Sequence, residues 1–240
     1  MEEFREFQKI PRLSRECIIT EKIDGTNASV FITEDGQFLT GSRTRWIQPE
    51  ADNFGFSHWA HEHKDELLTL GPGHHFGEWW GHGIQRGYGL LKGERRFSLF
   101  NTGHWVDRHG PFLLDGPPEG YAFAPHCCHV VPVLAIGVFS SWLVVAALDR
   151  LRDGSLAAPG FKNPEGVVIF HTASNTLFKK TIFGDDEGKH AEAHPKKEKA
   201  PRPPKDPSKG GRRIEQIAFL WPERRKAASP VTPSHRLAWC

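Results

Sequence analysis

Short apolar runs separated by tight turns recur through the first 183 residues, and they constrain the fold more than any other feature of the chain. Residues 28–33 alternate apolar and polar side chains, and the turn residues Glu34-Asp35-Gly36 separate them from 37–40, which predicts a hairpin. Comparable runs lie at 17–21, 75–80, 97–100, 166–171 and 176–182. Because helical patterns do not alternate regularly with these runs, we predict a strand-dominated α+β fold and exclude a doubly wound sheet.

One uncharged segment has the length of a membrane span. Residues 130–148 are 19 positions without a charged side chain. Pro132, Gly137 and the pair Ser140-Ser141 interrupt the segment with residues that favour turns and helix caps. We therefore interpret it as part of a folded domain and expect no contact with a membrane.

Two helices are predicted. In the uncharged segment we expect a buried strand over Val130–Ile136, a turn, and then a helix that Ser140 or Ser141 caps and that runs to about Arg152. Residues 55–70 have the other helical pattern, with the breaker Gly71-Pro72-Gly73 at its end.

The character of the chain changes at residue 184. Residues 184–240 carry 13 Lys and Arg against 8 Asp and Glu, whereas residues 1–183 carry 18 against 21. Proline and lysine dominate residues 194–213, a composition that cannot bury a core. We predict a folded domain over 1–183 and a basic, largely disordered tail over 184–240. The tail either holds nucleic acid through its charge or serves as a solubilising linker.

The four cysteines do not form a disulfide framework in a chain of 240 residues. Cys127 and Cys128 are adjacent, which suits neither a disulfide between them nor the spacing of zinc ligands. Residues 1–8 are charged and lack the apolar stretch of a signal peptide. These observations favour reduced thiols and a cytoplasmic location.

The histidines form local clusters, but their spacing does not predict a zinc site. They include His58, His61 and His63, the pair His74-His75, and the segment His126-Cys127-Cys128-His129. None of these clusters has a paired-ligand spacing of the Cys-x2-Cys kind.

The segment with the most chemical content is Glu21-Lys22-Ile23-Asp24-Gly25-Thr26-Asn27. A lysine at the end of a strand becomes a nucleophile when nearby cations or burial favour its neutral form. The glycine that follows lets the backbone approach a ligand closely. In isolation, the same pattern also describes a surface turn that contains a Lys–Asp pair.

Five further segments follow this one in a fixed order: Gly41-Ser42-Arg43, 76–81, 96–101, 164–169 and 177–181. Together with the lysine segment they resemble the motifs of the ATP-dependent RNA ligase family, typical of phage and bacterial RNA-repair ligases, within the covalent nucleotidyltransferase superfamily. The resemblance implies an ATP-grasp-like nucleotidyltransferase domain in which two antiparallel sheets, flanked by helices, form the walls of a nucleotide pocket.

The resemblance also implies roles for the catalytic residues. Lys22 attacks the α-phosphate of ATP and forms a lysyl–AMP phosphoramidate. From its position two residues after Lys22, we expect Asp24 to orient the amine or a metal-bound water. The resemblance implies that Arg43 contacts the ribose and the nucleic-acid end. Glu165 helps to hold the catalytic divalent metal, for which we expect Mg²⁺ with Mn²⁺ as an alternative.

Further positions match the family's nucleotide-binding residues. Glu21 lies near the adenine edge, Asn27 near the phosphates, and Glu78 accepts hydrogen bonds from the ribose. Phe100 matches the aromatic residue that stacks on adenine, although Asn101 replaces the aspartate that usually follows it.

The last motif of the family has lysines that contact the α-phosphate. Lys179 and Lys180 are adjacent, so only one can point into the site. We favour Lys179 with Thr181 in the second position, and the opposite register, with Lys180 inward, stays open.

The implied reaction joins RNA ends in three steps. AMP passes from ATP to Lys22, then to a 5′-phosphate, and a 3′-hydroxyl finally displaces it. The expected partner is RNA with 5′-phosphate and 3′-hydroxyl ends, including a nicked duplex, with a helper protein as an option for holding the ends. The alternatives are a DNA ligase of the same superfamily, a capping guanylyltransferase, and a module that binds nucleotide or RNA without catalysis.

Overall fold

A computed structural model describes residues 4–110 and 116–183, so the predicted tail at 184–240 lies outside the described residues. The described parts form an α+β fold, as predicted. Their strands are β1 Glu16–Lys22, β2 Thr26–Ile32, β3 Phe38–Ser42, β4 Trp46–Ile47, β5 Gly73–Gly81, β6 Arg95–Leu99, β7 Trp105–Val106, β8 Ala122–Phe123, β9 Cys128–Val130, β10 Val133–Val138, β11 Gly166–His171 and β12 Thr176–Thr181. Their α-helices are α1 Phe56–Glu62, α2 Lys64–Leu68 and α3 Ser141–Arg152.

The smaller of the two main sheets has the strand order β10-β1-β11-β12, and all its pairs are antiparallel. Alternate residues of its strands point toward α3 and form an apolar cluster with that helix. The buried members of this cluster are Cys17, Ile19, Leu134, Ala147, Leu151, Val167 and Ile169. The opposite face of the sheet is therefore available to line a site.

The larger sheet has the order β4-β3-β2-β5-β6-β9, and α1 and α2 contribute to the core on one of its faces. The prediction of two antiparallel sheets is wrong at one edge, because β9 runs parallel to β6. The chain between them, residues 100–127, is longer than the dozen or so residues that a parallel connection needs. A separate parallel ladder of β7 and β8 lies in that connection.

The predicted helix over 55–70 is divided in two. The chain leaves the α-helical conformation at His63, where φ is −104° and ψ is 20°. Residues 61–66 are all polar or charged, so the middle of the segment offers no apolar side chain that could bury against the sheet. Both flanking turns do bury side chains, among them Phe56 and Leu67.

The predicted strand over Val130–Ile136 is also divided, and the chain passes there from one sheet to the other. β9 ends in the larger sheet and β10 begins in the smaller one, with Pro132 between them. A proline has no N–H for a strand ladder, so it favours a break at this point. β10 is an edge strand whose Ile136 and Val138 are exposed, so the expectation of a buried strand is wrong.

The helix predicted to follow is confirmed. Ser140 is the N-cap of α3, and its side-chain oxygen accepts a hydrogen bond from the backbone N–H of Leu143. No helix in the described residues is long and apolar enough to cross a membrane.

A third apolar cluster connects the two sheets. Ile23 follows β1, Trp80 belongs to β5, and Val131 lies at the crossing between β9 and β10. Tyr88 and Ala158 complete its buried part. The two sheets are therefore packed together through this cluster.

Candidate active site

Lys22 is the last residue of β1, and only three residues separate it from the first residue of β2. The lysine segment thus passes from the smaller sheet to the larger one. Cys17, Ile19 and Glu21 point toward the α3 side of the sheet, so Lys22 points to the opposite side.

Glu165 meets Lys22 across the smaller sheet. Its Oε2 lies 2.6 Å from Lys22 Nζ, and the two side chains are 16% and 25% exposed, respectively. Gly166, which follows Glu165, is paired with Lys22 in the ladder between β1 and β11. This register fixes the carboxylate beside the amine. The two groups form a charge-assisted hydrogen bond that is partly shielded from solvent.

Glu78 lies on the larger sheet and binds the lysine segment from the other side. The backbone N–H of Gly25 donates to Glu78 Oε1 at 3.0 Å, and Asn27 Nδ2 donates to Oε2 at 3.2 Å. Burial raises the pKa of Glu78 to about 7, although the Gly25 hydrogen bond and the charge of Lys22 oppose the shift. Gly25 fits because a Cβ there would lie 2.5 Å from the carbonyl oxygen of Trp79.

Asp24 is turned toward Arg86 instead of Lys22. Arg86 Nε donates to Asp24 Oδ2 at 2.8 Å, and Arg86 Nη1 donates to the carbonyl of Asn163 at 3.2 Å. The backbone N–H of Asp24 donates to the hydroxyl oxygen of Tyr88 at 2.9 Å. The structure therefore gives Asp24 a role in fixing the turn after Lys22. Arg86 and Tyr88 did not enter the predicted site.

Glu21 lies on the α3 side of the sheet and is buried. Ser155 Oγ donates to its Oε1 at 2.6 Å, and the backbone N–H groups of Leu156 and Ala157 donate to Oε2 at 2.8 and 3.0 Å. Burial raises the pKa of Glu21, while these hydrogen bonds act in the opposite direction. The carboxylate thus holds the loop that delivers Ala158 to the third apolar cluster.

Phe100 packs at the edge of that cluster, and its backbone N–H donates to the carbonyl of Phe76 at 3.0 Å. The adjacent Asn101 buries its side-chain oxygen without a hydrogen-bond partner among the described residues. Trp80 shares the strand face of Glu78 and donates from Nε1 to Ser98 Oγ at 2.9 Å. Trp79 points into the opposite core.

The two remaining cationic residues of the predicted site are exposed. Lys179 is paired with Val168 and Thr181 with Gly166, while Lys180 is paired with Val167, whose side chain belongs to the α3 cluster. The register therefore places Lys179 and Thr181 on the face of Lys22, and Lys180 on the other face. Arg43 follows β3 at the end of the sheet that also carries Asn27.

A row of aromatic rings extends the Glu78 face of the larger sheet. His74 stacks on Phe76 with ring centroids 4.4 Å apart, and Trp46 stacks on His74 at 5.5 Å with an interplanar angle of 10°. Phe31 lies beside both Trp46 and His74. We call these four residues the aromatic row. Sequence reasoning missed it because its members come from three different strands.

A sequence model of the family described as RNA ligase matches residues 15–182. No curated protein matches the chain. Similar solved structures include three mutants of an RNA ligase from Naegleria gruberi. One mutant with ATP and Mn has 20% identity, a TM-score of 0.48, and an alignment over 70% of this chain and 49% of that chain.

A second mutant with ATP and Mn has 21% identity and a TM-score of 0.47, with 70% of this chain and 50% of that chain aligned. A mutant with AMP and Mn has 20% identity and a TM-score of 0.48, with the same coverage of 70% and 50%. The chain thus spans about half the length of these structures.

Proposed function

This chain belongs to the RNA ligase family, and from that premise we propose that it is an ATP-dependent RNA ligase acting through a covalent lysyl–AMP on Lys22. One observation carries the proposal. Lys22 Nζ lies 2.6 Å from Glu165 Oε2, and Gly25, three residues after Lys22, donates to Glu78 of the larger sheet; we call the space beside these residues the cleft. A nucleophile, a proton acceptor and a nucleotide-binding carboxylate are thereby within one nucleotide's reach.

In the first step the Lys22 amine attacks the α-phosphate of ATP. The bond from nitrogen to phosphorus forms, the bond to the bridging oxygen breaks, and pyrophosphate leaves. The ammonium must lose a proton first, and Glu165 Oε2 at 2.6 Å is close enough to accept it. Asp24 does not compete for this amine because Arg86 holds its carboxylate.

A divalent metal fits the donors present. The carboxylate oxygen of Glu165 that Lys22 does not contact is a hard ligand, of the kind that Mg²⁺ and Mn²⁺ take in phosphate-binding sites. Bound there with the phosphates, the ion would supply positive charge to the transferring phosphoryl group. Lys179 shares the face of Lys22 and adds a second positive charge of the chain's own.

The nucleoside binds along the larger sheet in this proposal. Glu78 is proposed to accept hydrogen bonds from the ribose, and Asn27 keeps its amide beside that carboxylate. Phe100 lies on the same sheet and offers an aromatic face to adenine. Glu21 acts only indirectly, because its carboxylate is fully engaged by residues 155–157.

We further propose that RNA ends approach along the aromatic row. Phe31, Trp46, His74 and Phe76 continue the face that carries Glu78, and Trp46 is 52% exposed. Aromatic faces stack on unpaired bases whatever their sequence. Arg43, at the same end of the sheet as Asn27, is proposed to contact a phosphate of the incoming end.

This surface has its own test. Trp46→Ala is expected to weaken binding of single-stranded RNA roughly 10-fold, because each lost base–aromatic contact costs about 1–3 kcal/mol. Formation of lysyl–AMP should be unchanged. Trp142→Ala, at a tryptophan that is 74% exposed on α3, is the matched control and should alter neither.

The second and third steps define the substrate. The lysyl–AMP passes its AMP to a 5′-phosphate, and a 3′-hydroxyl then attacks the activated phosphate and releases AMP. RNA with these two ends, free or in a nicked duplex, is therefore the proposed partner, with a helper protein holding the ends.

Such chemistry needs ATP, so we place the protein in the cytoplasm, where the free thiols Cys17, Cys127 and Cys128 also stay reduced.

The first experiment is adenylylation with α-labelled ATP and Mg²⁺, followed by a denaturing gel. The proposal predicts a labelled protein band that Lys22→Ala abolishes. Lys92→Ala, at an exposed lysine outside the cleft, is the control and should keep the band. A folded wild-type protein that gives no band with ATP, GTP or NAD would overturn the proposal and favour a binding module without catalysis.

A DNA ligase of the same superfamily is the remaining alternative. Sealing of matched RNA and DNA nicks by the adenylylated protein separates the two. Faster sealing of the nick with RNA ends supports the proposal, and faster sealing of the DNA nick replaces it.

A further inference from the structure

A second cluster of metal-binding side chains lies outside the cleft that holds Lys22. Asp107, His109 and His129 each offer one ligand atom, and these atoms lie within 4.8 Å of one another. Asp107 and His109 follow β7, whereas His129 is the middle residue of β9. The fold therefore brings together donors that are far apart in the sequence. We propose that these three residues bind one divalent transition-metal ion, with Zn²⁺ the best match to the donors.

The distances fit a coordination sphere better than a direct ion pair. Asp107 Oδ2 and His129 Nδ1 are 3.5 Å apart, which is longer than a charge-assisted hydrogen bond of about 2.7–2.9 Å. Two ligand atoms at ~2.1 Å from a tetrahedral ion are about 3.4 Å from each other.

The hydrogen bonds around the cluster leave the atoms that would bind the ion available. His109 Nε2 lies 2.9 Å from the carbonyl oxygen of His126, and a carbonyl can only accept. That nitrogen therefore carries the proton, and Nδ1 of the neutral ring keeps its lone pair. A ligating histidine usually donates its other N–H to such a carbonyl, which sets the tautomer and holds the ring.

Asp107 is held in the same way. The backbone N–H of His109 donates to its Oδ1 at 2.8 Å, and that of Val130 donates to Oδ2 at 3.0 Å. Two backbone donors fix the carboxylate and leave the remaining lone pairs for an ion.

The donor types decide which ion fits. Two imidazole nitrogens and one carboxylate oxygen suit Zn²⁺ and its neighbours, and they are poor ligands for Mg²⁺. His109 is exposed, so water can complete the coordination. The ion would fasten the turn after β7 to β9, and β9 is paired with β6, the strand that leads to Phe100. Its role would be structural, at the edge strand of the larger sheet.

The test is a titration of untagged, chelator-treated full-length protein with Co²⁺ alone, without nucleotide. We expect one equivalent to bind, with visible absorption bands that Zn²⁺ abolishes by displacement. His109→Ala and His129→Ala should each weaken binding at least about tenfold. His82→Ala, an exposed histidine on another loop, is the control and should bind as the wild type does. Glu165→Ala should also bind normally, which separates this ion from the one proposed for catalysis.

A second readout is thermal unfolding. At Zn²⁺ concentrations about 100-fold above the Kd, the Tm should rise on the order of 5 °C in the wild type and in Glu165→Ala, and stay constant in His109→Ala. Because His109 is exposed, this variant is expected to fold. The proposal is wrong if the wild type binds no stoichiometric Co²⁺, or if His82→Ala weakens binding as much as His109→Ala does.

Discussion

Glu78 is the residue whose surroundings most change its chemistry. It is only 9% exposed, and burial brings its pKa to about 7, from an ordinary value of 4.5. Its two oxygens accept from Gly25 and Asn27, which favours the ionised form, yet dehydration has the larger effect. The carboxyl group therefore changes charge near neutral pH, in the cleft where an anionic nucleotide is expected.

The raised pKa predicts how stability depends on pH. The folded state binds the Glu78 proton more tightly than the unfolded state, so stability falls as pH rises from about 4.5 to about 7. Glu78→Gln removes this titration. As pH rises across that interval, the free energy of unfolding of the variant should increase relative to that of the wild type by about 2 kcal/mol. Above the interval the difference between the two proteins should stay constant.

The measurement is chemical unfolding of both proteins at a series of pH values. Asp35→Asn is the control: the pKa of this exposed aspartate lies below its ordinary value of 3.8, so the difference from the wild type should stay constant above about pH 4. A stability difference between Glu78→Gln and the wild type that stays constant from pH 4 to about 8 would contradict the buried, protonated glutamate.

Lys179 and Lys180 form a natural pair for a test of strand register. Lys179 shares the face of Lys22, whereas Lys180 is paired with Val167 on the α3 side. Lys179→Ala should slow formation of lysyl–AMP about 10-fold to 100-fold, as expected for the loss of one positive charge at the phosphates. Lys180→Ala should keep the rate within about twofold. The rate of lysyl–AMP formation is measured with labelled ATP. A larger loss of rate in Lys180→Ala than in Lys179→Ala would mean that Lys180 is the inward residue.

At the scale of the elements, the pairing of β11 with β12 depends on Gly166, the first residue of β11. Its φ of +156° lies in the region that favours glycine, and a Cβ would overlap the carbonyl oxygen of Lys180. Gly166→Ala should therefore destabilise the protein by about 2 kcal/mol or more and displace Glu165 from Lys22. Gly137→Ala is the control, because its Cβ would meet its nearest neighbour at an ordinary 3.6 Å. Equal unfolding midpoints for the two variants would show that position 166 tolerates a side chain.

Strands with a local signal could be predicted from the sequence, and long-range pairings could not. The alternation in β2 and the turn after it identified the hairpin with β3, and the serine before α3 identified its N-cap. The division of the strand at Pro132 was missed, since an apolar run does not tell which sheet each half joins.

The same distinction holds for the site. The motif residues Lys22, Glu78 and Glu165 lie together in one cleft. Arg86 was missed as the partner of Asp24, because their contact joins a turn to a distant loop and no spacing in the sequence encodes it. Asp107 and His129 were missed for the same reason.

At the scale of the whole molecule, everything proposed for the first step lies within residues 16–182. Both main sheets and all three apolar clusters are built from this range. A chain that ends at residue 183 should therefore keep the Tm within about 2 °C and form lysyl–AMP at the full rate. Sealing of RNA nicks should fall if the basic tail holds nucleic acid. Calorimetry and the labelled-ATP gel test this, and loss of adenylylation would place part of the nucleotide site in 184–240.

The two crossings between the main sheets have a mechanical consequence. In the described residues the chain passes from one sheet to the other at 23–25 and again at 131–132, and the N–H of Glu21 donates to the carbonyl of Pro132 at 2.9 Å. The crossings thus lie side by side, and both connect the same two sheets. A substrate that contacts both sheets could change the angle between them without breaking any hydrogen bond within either sheet. Closure would then be resisted by torsions near Ile23 and Pro132, by the apolar side chains between the sheets, and by the hydrogen bond from Arg86 to the carbonyl of Asn163.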